Sequence, residues 1–224
     1  GRMKTPLRYQ FSEYDCGPAC LQNAISYLFD REEIPPEVLR NISLYCLDGY
    51  SAEGISGKTG TSATAMMFLS NWLTSYGKTG RLPVACRYLS GAEVHLEEGS
   101  QILEALRQGG TVVQRLILDV GHYILLTGVE GDCALAFDPY HWEGDYDDNS
   151  VEVVWDHPDA YNRRIPLRLL NLESTLDYAL GPVEKREAVL IFNTKTTPAV
   201  GDAGIPDTDM TGGLQDDSNT PAGL

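Results

Sequence analysis

From Cys16 onward the apolar residues Cys20, Leu21, Ala24, Ile25, Leu28 and Phe29 recur at spacings of three and four, which predicts a core helix ending near Asp30-Arg31. Pro35-Pro36 opens a second helical segment, Glu37 to Cys46, where proline suits the first turn and Glu37 complements the positive end of the helix dipole. Thr61 or Ser62 can cap a third helix carrying Ala65, Met66, Phe68, Leu69, Trp72 and Leu73, with Gly77 expected to end it. Ser100 with Ile102, Leu103 and Leu106 predicts a fourth, short helix closed by Gly109-Gly110. The glycine- and serine-rich stretch from Asp48 to Thr61 reads as a surface loop.

Beyond Gly110 the period changes. Thr111 to Leu118, His122 to Val129, Cys133 to Phe137, Val151 to Trp155 and Ala188 to Phe192 are rich in β-branched, leucine and aromatic residues bounded by Gly, Asp or Pro, and read as strands. Helices first and strands after imply an α+β fold, N-terminal helices packed on a C-terminal antiparallel sheet. From Thr194 to Leu224 large apolar residues almost vanish in favour of Pro, Gly, Asp, Thr and Ser, so the expected organisation is one catalytic domain over residues 1–193 and an acidic tail over 194–224.

Composition removes several functions. A formal charge of −15 supplies no excess of Lys and Arg to displace counterions from a phosphate backbone, so no nucleic-acid partner is expected. No run approaches the ~20 apolar residues of a membrane span, and the first residues lack an apolar signal core. Five cysteines, at 16, 20, 46, 86 and 133, form no disulfide framework. A cytoplasmic location is the resulting expectation. Cys16 and Cys20 share one short helix and lack a second ligand pair at zinc-finger spacing, so neither a metal nor a cofactor is expected. The acidic run Glu143 to Asn149 alternates oxygen ligands, but Ser150 stands where a helix-loop-helix calcium site needs glycine, and a solvated loop is expected.

The chemistry lies in two windows. Gln10 precedes Cys16 by six residues in the run Gln10-Phe11-Ser12-Glu13-Tyr14-Asp15-Cys16-Gly17-Pro18-Ala19-Cys20, and the helical pattern starts at that cysteine. A helix start offers unpaired N–H groups and a positive dipole end, both of which favour thiolate over thiol. An upstream glutamine amide can donate to the same developing oxyanion. Downstream, Gly121-His122-Tyr123 opens an apolar strand and Asp138-Pro139 ends the next. His95, His141 and His157 compete for the role of base, but none begins an apolar strand; His141, three residues after Asp138, is the best substitute.

This constellation resembles the papain-like cysteine peptidases, and most closely the bacterial branch that processes double-glycine leader peptides of bacteriocins and related secreted peptides, in a stand-alone form without a transporter. The resemblance implies Cys16 as nucleophile, His122 as general base and acid, Asp138 as the group orienting the imidazole, and Gln10 as oxyanion donor. It implies a peptide or protein substrate cut through a Cys16 thioacyl intermediate. The same intermediate could pass its acyl group to an amine, and a relative without turnover could bind a leader peptide uncut. The tail sequence Thr211-Gly212-Gly213-Leu214 has only Met210 as an upstream hydrophobic anchor and reads as a turn-forming glycine pair.

Overall fold

One seven-stranded antiparallel sheet organises the chain in a computed structural model that describes residues 5–12, 14–46, 61–142 and 144–197. Its strands are β1 (Val84–Ser90), β2 (Thr111–Leu118), β3 (Val120–Glu130), β4 (Cys133–Phe137), β5 (Glu152–Val153), β6 (Arg163–Pro166) and β7 (Glu187–Asn193), in the order β1-β7-β2-β3-β4-β6-β5. The helices are α1 (Cys16–Leu28), α2 (Pro36–Cys46), α3 (Ala63–Lys78), α4 (Gln101–Arg107) and α5 (Leu167–Leu170). The fold is α+β, as the sequence order of elements implies.

Alternation along the strands separates two cores. Val113, Tyr123, Leu125, Val189 and Ile191 point to one face and pack with Cys20, Ile25, Ile42, Leu69 and Leu73 of α1, α2 and α3. Val112, Leu116, Ile124, Leu126, Leu190 and Phe192 point to the other and pack with Ile102, Leu103 and Leu106 of α4 and Leu169 and Leu170 of α5. The N-terminal helices α1, α2 and α3 pack on one face of the sheet as expected, and α4 and α5 cover the other. Burial on both faces explains why β7 reads as an unbroken apolar run, since none of its seven residues is exposed.

Two strands have no counterpart among the five expected. β1 carries Ala85, Cys86 and Arg87, a weak strand pattern, and gains its order from pairing with β7 at the far end of the chain, Val84 opposite Asn193. β6 begins with two arginines and ends at Pro166, and pairs with β4. The strand expected over Val151 to Trp155 is reduced to Glu152–Val153 at the sheet edge.

Local signals fix the helix starts. Ser62 accepts the Ala65 N–H at 3.1 Å to cap α3, and Ser100 accepts from Ile102 and Leu103 at 3.0 and 3.2 Å to cap α4. Gly77 does not end α3, which runs through it to Lys78. Its role is contact: a Cβ there would lie 1.9 Å from the Val84 carbonyl oxygen, so only glycine lets α3 approach β1. The loop expected between 48 and 61, apart from Thr61, and the tail beyond Thr197 lie outside the described residues.

Candidate active site

Cys16 is the first residue of α1 and is buried, with 8% of its surface exposed. Asp15 stands at the cap position without capping the helix. Its carboxylate turns instead to the preceding loop, accepting from the Phe11 N–H at 2.9 Å, the Ser12 N–H at 2.7 Å and the Ser12 hydroxyl at 3.0 Å. The first-turn amides of Cys16 and Gly17 are thus not covered by a cap, and Pro18 has no N–H to offer. This is a helix start open to a developing anion.

The loop held by Asp15 carries Gln10. The Gln10 backbone N–H donates to the Pro139 carbonyl at 2.8 Å, which ties the loop to the residue after Asp138. Its side-chain Nε2 donates to the Ser12 carbonyl at 2.8 Å, while its Oε1 is buried without a partner. Exchanging the two amide atoms would set two acceptors face to face, so Ser12 fixes the orientation of the amide and leaves one Nε2 proton for another acceptor.

The histidine and the carboxylate meet through sheet register. Leu125 pairs with Phe137 across β3 and β4, so Asp138 falls opposite Ile124, and His122 is its diagonal neighbour on the same face. His122 Nε2 lies 2.8 Å from Asp138 Oδ1, with both side chains buried. The Cys16 side chain lies near enough to the ring to add to the raising of its pKa; with Nε2 on the carboxylate, Nδ1 is the ring nitrogen left free of it. Burial opposes a charged ring, but the Asp138 charge and hydrogen bond, and then Cys16, outweigh it and raise the His122 pKa to about 10. Burial likewise opposes the Asp138 carboxylate, yet His122, the Tyr178 hydroxyl and the Tyr140 N–H together hold its pKa below the usual value. Gly121 leaves room for the Arg115 guanidinium, from which a Cβ there would lie 2.6 Å.

Behind Asp138 stands a layer that no sequence motif announced. Tyr178 donates its hydroxyl to Asp138 Oδ2 at 2.6 Å, and the Tyr140 N–H donates to Oδ1 at 2.9 Å. Asn162 accepts the Asp138 N–H at 2.8 Å and donates to the Asp138 carbonyl at 2.9 Å. Arg163, buried beside Asn162, directs Nε to the hydroxyls of Tyr146 at 2.8 Å and Tyr178 at 3.3 Å. The signal available in the sequence was weak: a tandem Asn-Arg shortly after Pro158, and isolated tyrosines. The bond from the Tyr140 N–H is an Asx turn, so the carboxylate that meets His122 also shapes its own turn.

A cavity of about 570 Å³ opens on this group, with Gln10 and His122 in its wall beside Leu118, Val120, Tyr140 and Trp142. Tyr140 meets the His122 ring edge-on at 6.3 Å and stacks on Trp142 at 6.2 Å. The other histidines are elsewhere. His95 accepts from the Glu97 N–H, His157 pairs with Asp156 at 2.9 Å and stacks on Tyr161, and His141 stands against Tyr9 and Trp155. In the acidic loop, Asp148 pairs with Arg168 at 3.0 Å, and Asp147 and Asp177 accept each other's backbone N–H groups. Among the described residues no group of three or more His, Cys, Asp or Glu side chains could hold a metal, and no helix is long and apolar enough to cross a membrane.

No protein-family model matches the chain, and no curated protein does. Among solved structures it is similar to a double glycine motif protease from an AMS/PCAT transporter, crystallised in complex with the leader peptide: TM-score 0.38, 15% identity, 86% of this chain and 92% of that one covered. A likeness of that size does not bear on what this chain does.

Proposed function

We propose that the chain is a papain-like cysteine peptidase that cleaves a peptide or amide bond through a thioacyl intermediate on Cys16. The observation that carries this reading is the buried His122–Asp138 pair, 2.8 Å apart, with the Cys16 side chain near enough to the same ring to influence its proton. With its pKa near 10, the ring holds a proton at neutral pH, ready for a leaving group.

In the proposed reaction Cys16 starts as a thiolate, its proton carried by the His122 ring, and its sulfur forms a bond to the substrate carbonyl carbon as the carbonyl π pair moves to oxygen. The charge that develops on the carbonyl oxygen is met by the amides at the start of α1 and by the remaining Nε2 proton of Gln10. His122 transfers its proton to the departing amine as the C–N bond breaks. It then takes a proton from water, the resulting hydroxide attacks the thioester, and Cys16 leaves as thiolate while the ring regains its charge. Asp138 stays ionised throughout and fixes the ring. The substrate class implied by the sequence resemblance is a leader peptide of a secreted peptide.

The test is the rate of Cys16 alkylation by iodoacetamide against pH, read by peptide mass spectrometry. Cys20 and Cys86 are fully buried, and burial pushes both thiols up; Cys133 is more accessible and also raised, by burial and then by Asp132. Labelling of Cys16 that outpaces all three and persists well below the free-thiol pKa of about 8.5 is the expected result. Labelling no faster than at Cys133 would sink the assignment. Cys16→Ala should then abolish turnover of any peptide the wild type cuts, with the fold retained.

A further inference from the structure

We infer that Tyr178 is a positioning residue of this site: its phenol, set by Arg163, holds Asp138 as a carboxylate aimed at His122. The inference rests on the peptidase reading, since it explains how the proposed base is kept in its working orientation.

Proton directions carry the argument. Arg163 is buried and has donors only, so its Nε–H, facing the Tyr146 and Tyr178 oxygens at 2.8 and 3.3 Å, makes both of them acceptors. The Tyr178 proton points away from Arg163 and has two acceptors in reach, Asp138 Oδ2 at 2.6 Å and the Tyr146 oxygen at 3.3 Å; the shorter, charge-assisted bond goes to the carboxylate. The remaining groups on the carboxylate, the His122 ring N–H and the Tyr140 N–H, also donate. With the Tyr178 hydroxyl, the ring N–H and the Tyr140 N–H all turned toward it, the carboxylate is met by donors, which favours its ionised form. An ionised Asp138 in turn keeps the proton of a neutral His122 on Nε2 and leaves Nδ1 bare toward Cys16.

The backbone supports the same reading. Tyr178 has φ of +68°, a left-handed conformation that a side chain of this size rarely adopts. It is held there by hydrogen bonds from its N–H to the Ile117 carbonyl at 2.6 Å and from the Ile117 N–H to the Ala179 carbonyl at 2.9 Å. A strained residue fixed from both sides, with its phenol on the proposed triad, is what a positioning role requires.

The titratable and charged groups around Asp138 are His122 from β3, Cys16 and Cys20 from α1, Arg163 from β6, and Tyr146 and Tyr178 from the loops before β5 and β7. Of these, Tyr178 is a donor that can be removed without removing a charge. Loss of its hydrogen bond makes Asp138 easier to protonate, and protonation removes the partner of the imidazolium.

The experiment is the acid limb of Cys16 alkylation by iodoacetamide in the full chain. Tyr178→Phe should move the pH of half-reactivity upward by about one unit, while Tyr146→Phe, which takes a phenol from the same network without touching Asp138, should leave the limb in place. Site-specific 3-fluorotyrosine at 178, a stronger donor of nearly the same shape, should move the limb downward and serves also if Tyr178→Phe fails to fold; burial holds the native phenol well above its usual pKa, so the analogue keeps its proton at acid pH. An unmoved limb with either substituent at 178, or equal shifts in the two phenylalanine variants, overturns the inference. A wild-type Cys16 without reactivity at low pH would defeat the active-site reading first, before any variant is compared.

Discussion

Asn162 clasps the backbone of Asp138, its side-chain oxygen taking the N–H at 2.8 Å and its side-chain nitrogen giving to the carbonyl at 2.9 Å. Both residues are buried, so these two backbone groups have no water to turn to. Asn162→Ala should lower the unfolding free energy by about 2–4 kcal/mol, the cost of orphaning two buried groups, as read from the denaturant midpoint. A loss under about 0.5 kcal/mol would show that the clasp is replaceable.

The charge on Asp138 accounts for the raised His122 pKa. In Asp138→Asn that charge is gone while burial still disfavours the imidazolium, so the ring proton should leave near or below pH 6.5 instead of near 10. Ring C–H resonances followed by NMR from pH 5 to 11 check this; a transition still near 10 in the variant would show another source of the shift.

Stability should follow with a definite sign. The protonated His122 contributes stabilisation that is fully present below its unfolded value of about 6.5 and lost as pH rises through about 10. Asp138, held low, contributes in the opposite window, above its unfolded value of about 3.9 and lost as pH falls through its lowered folded value. The wild type should therefore lose on the order of a few kcal/mol more than Asp138→Asn between pH 7 and 10.5, measured by urea unfolding. Parallel curves would contradict it.

Asp15 organises the loop that carries Gln10, through three hydrogen bonds to Phe11 and Ser12. Asp15→Ala should leave the His122–Asp138 pair intact and reduce the rate of acyl transfer about 10-fold or more, as expected when an oxyanion donor is misplaced. Single-turnover acylation with a peptide the wild type cuts gives the rate, and the His122 titration gives the control. An unchanged acylation rate would remove Gln10 from the proposed machinery.

Gly77 offers a test of packing. If it were only a poor helix former inside α3, Gly77→Ala would stabilise by about 1 kcal/mol. The Val84 carbonyl oxygen 1.9 Å from the added Cβ predicts the opposite sign, since α3 and β1 would have to separate. Thermal denaturation decides between them, with a lowered midpoint expected.

Helices α1 to α4, strands β2, β3, β4 and β7, and the residues Gln10, Cys16, His122 and Asp138 were legible along the chain, because their signals are local: apolar period, serine caps, glycine boundaries and a thiol at a helix start. β1 and β6 were not. Their own residues are weak strand formers, and their order comes from pairing with β7 and β4, which periodicity cannot register. Gly77 misled because glycine looks the same in sequence whether it ends a helix or admits a neighbouring strand.

The sequence by itself determined an α+β chain with a cysteine at a helix start, a histidine at a strand mouth and a carboxylate one strand on. Tertiary structure alone decided that helices cover both faces of the sheet, that the register of β3 and β4 makes His122 and Asp138 diagonal neighbours, and that Asn162, Arg163 and Tyr178 stand behind the carboxylate. The physical reason is range. Periodicity and capping act over a few residues, whereas the hydrogen bonds that satisfy a buried charge are drawn from whichever segments packing brings within 3 Å of it.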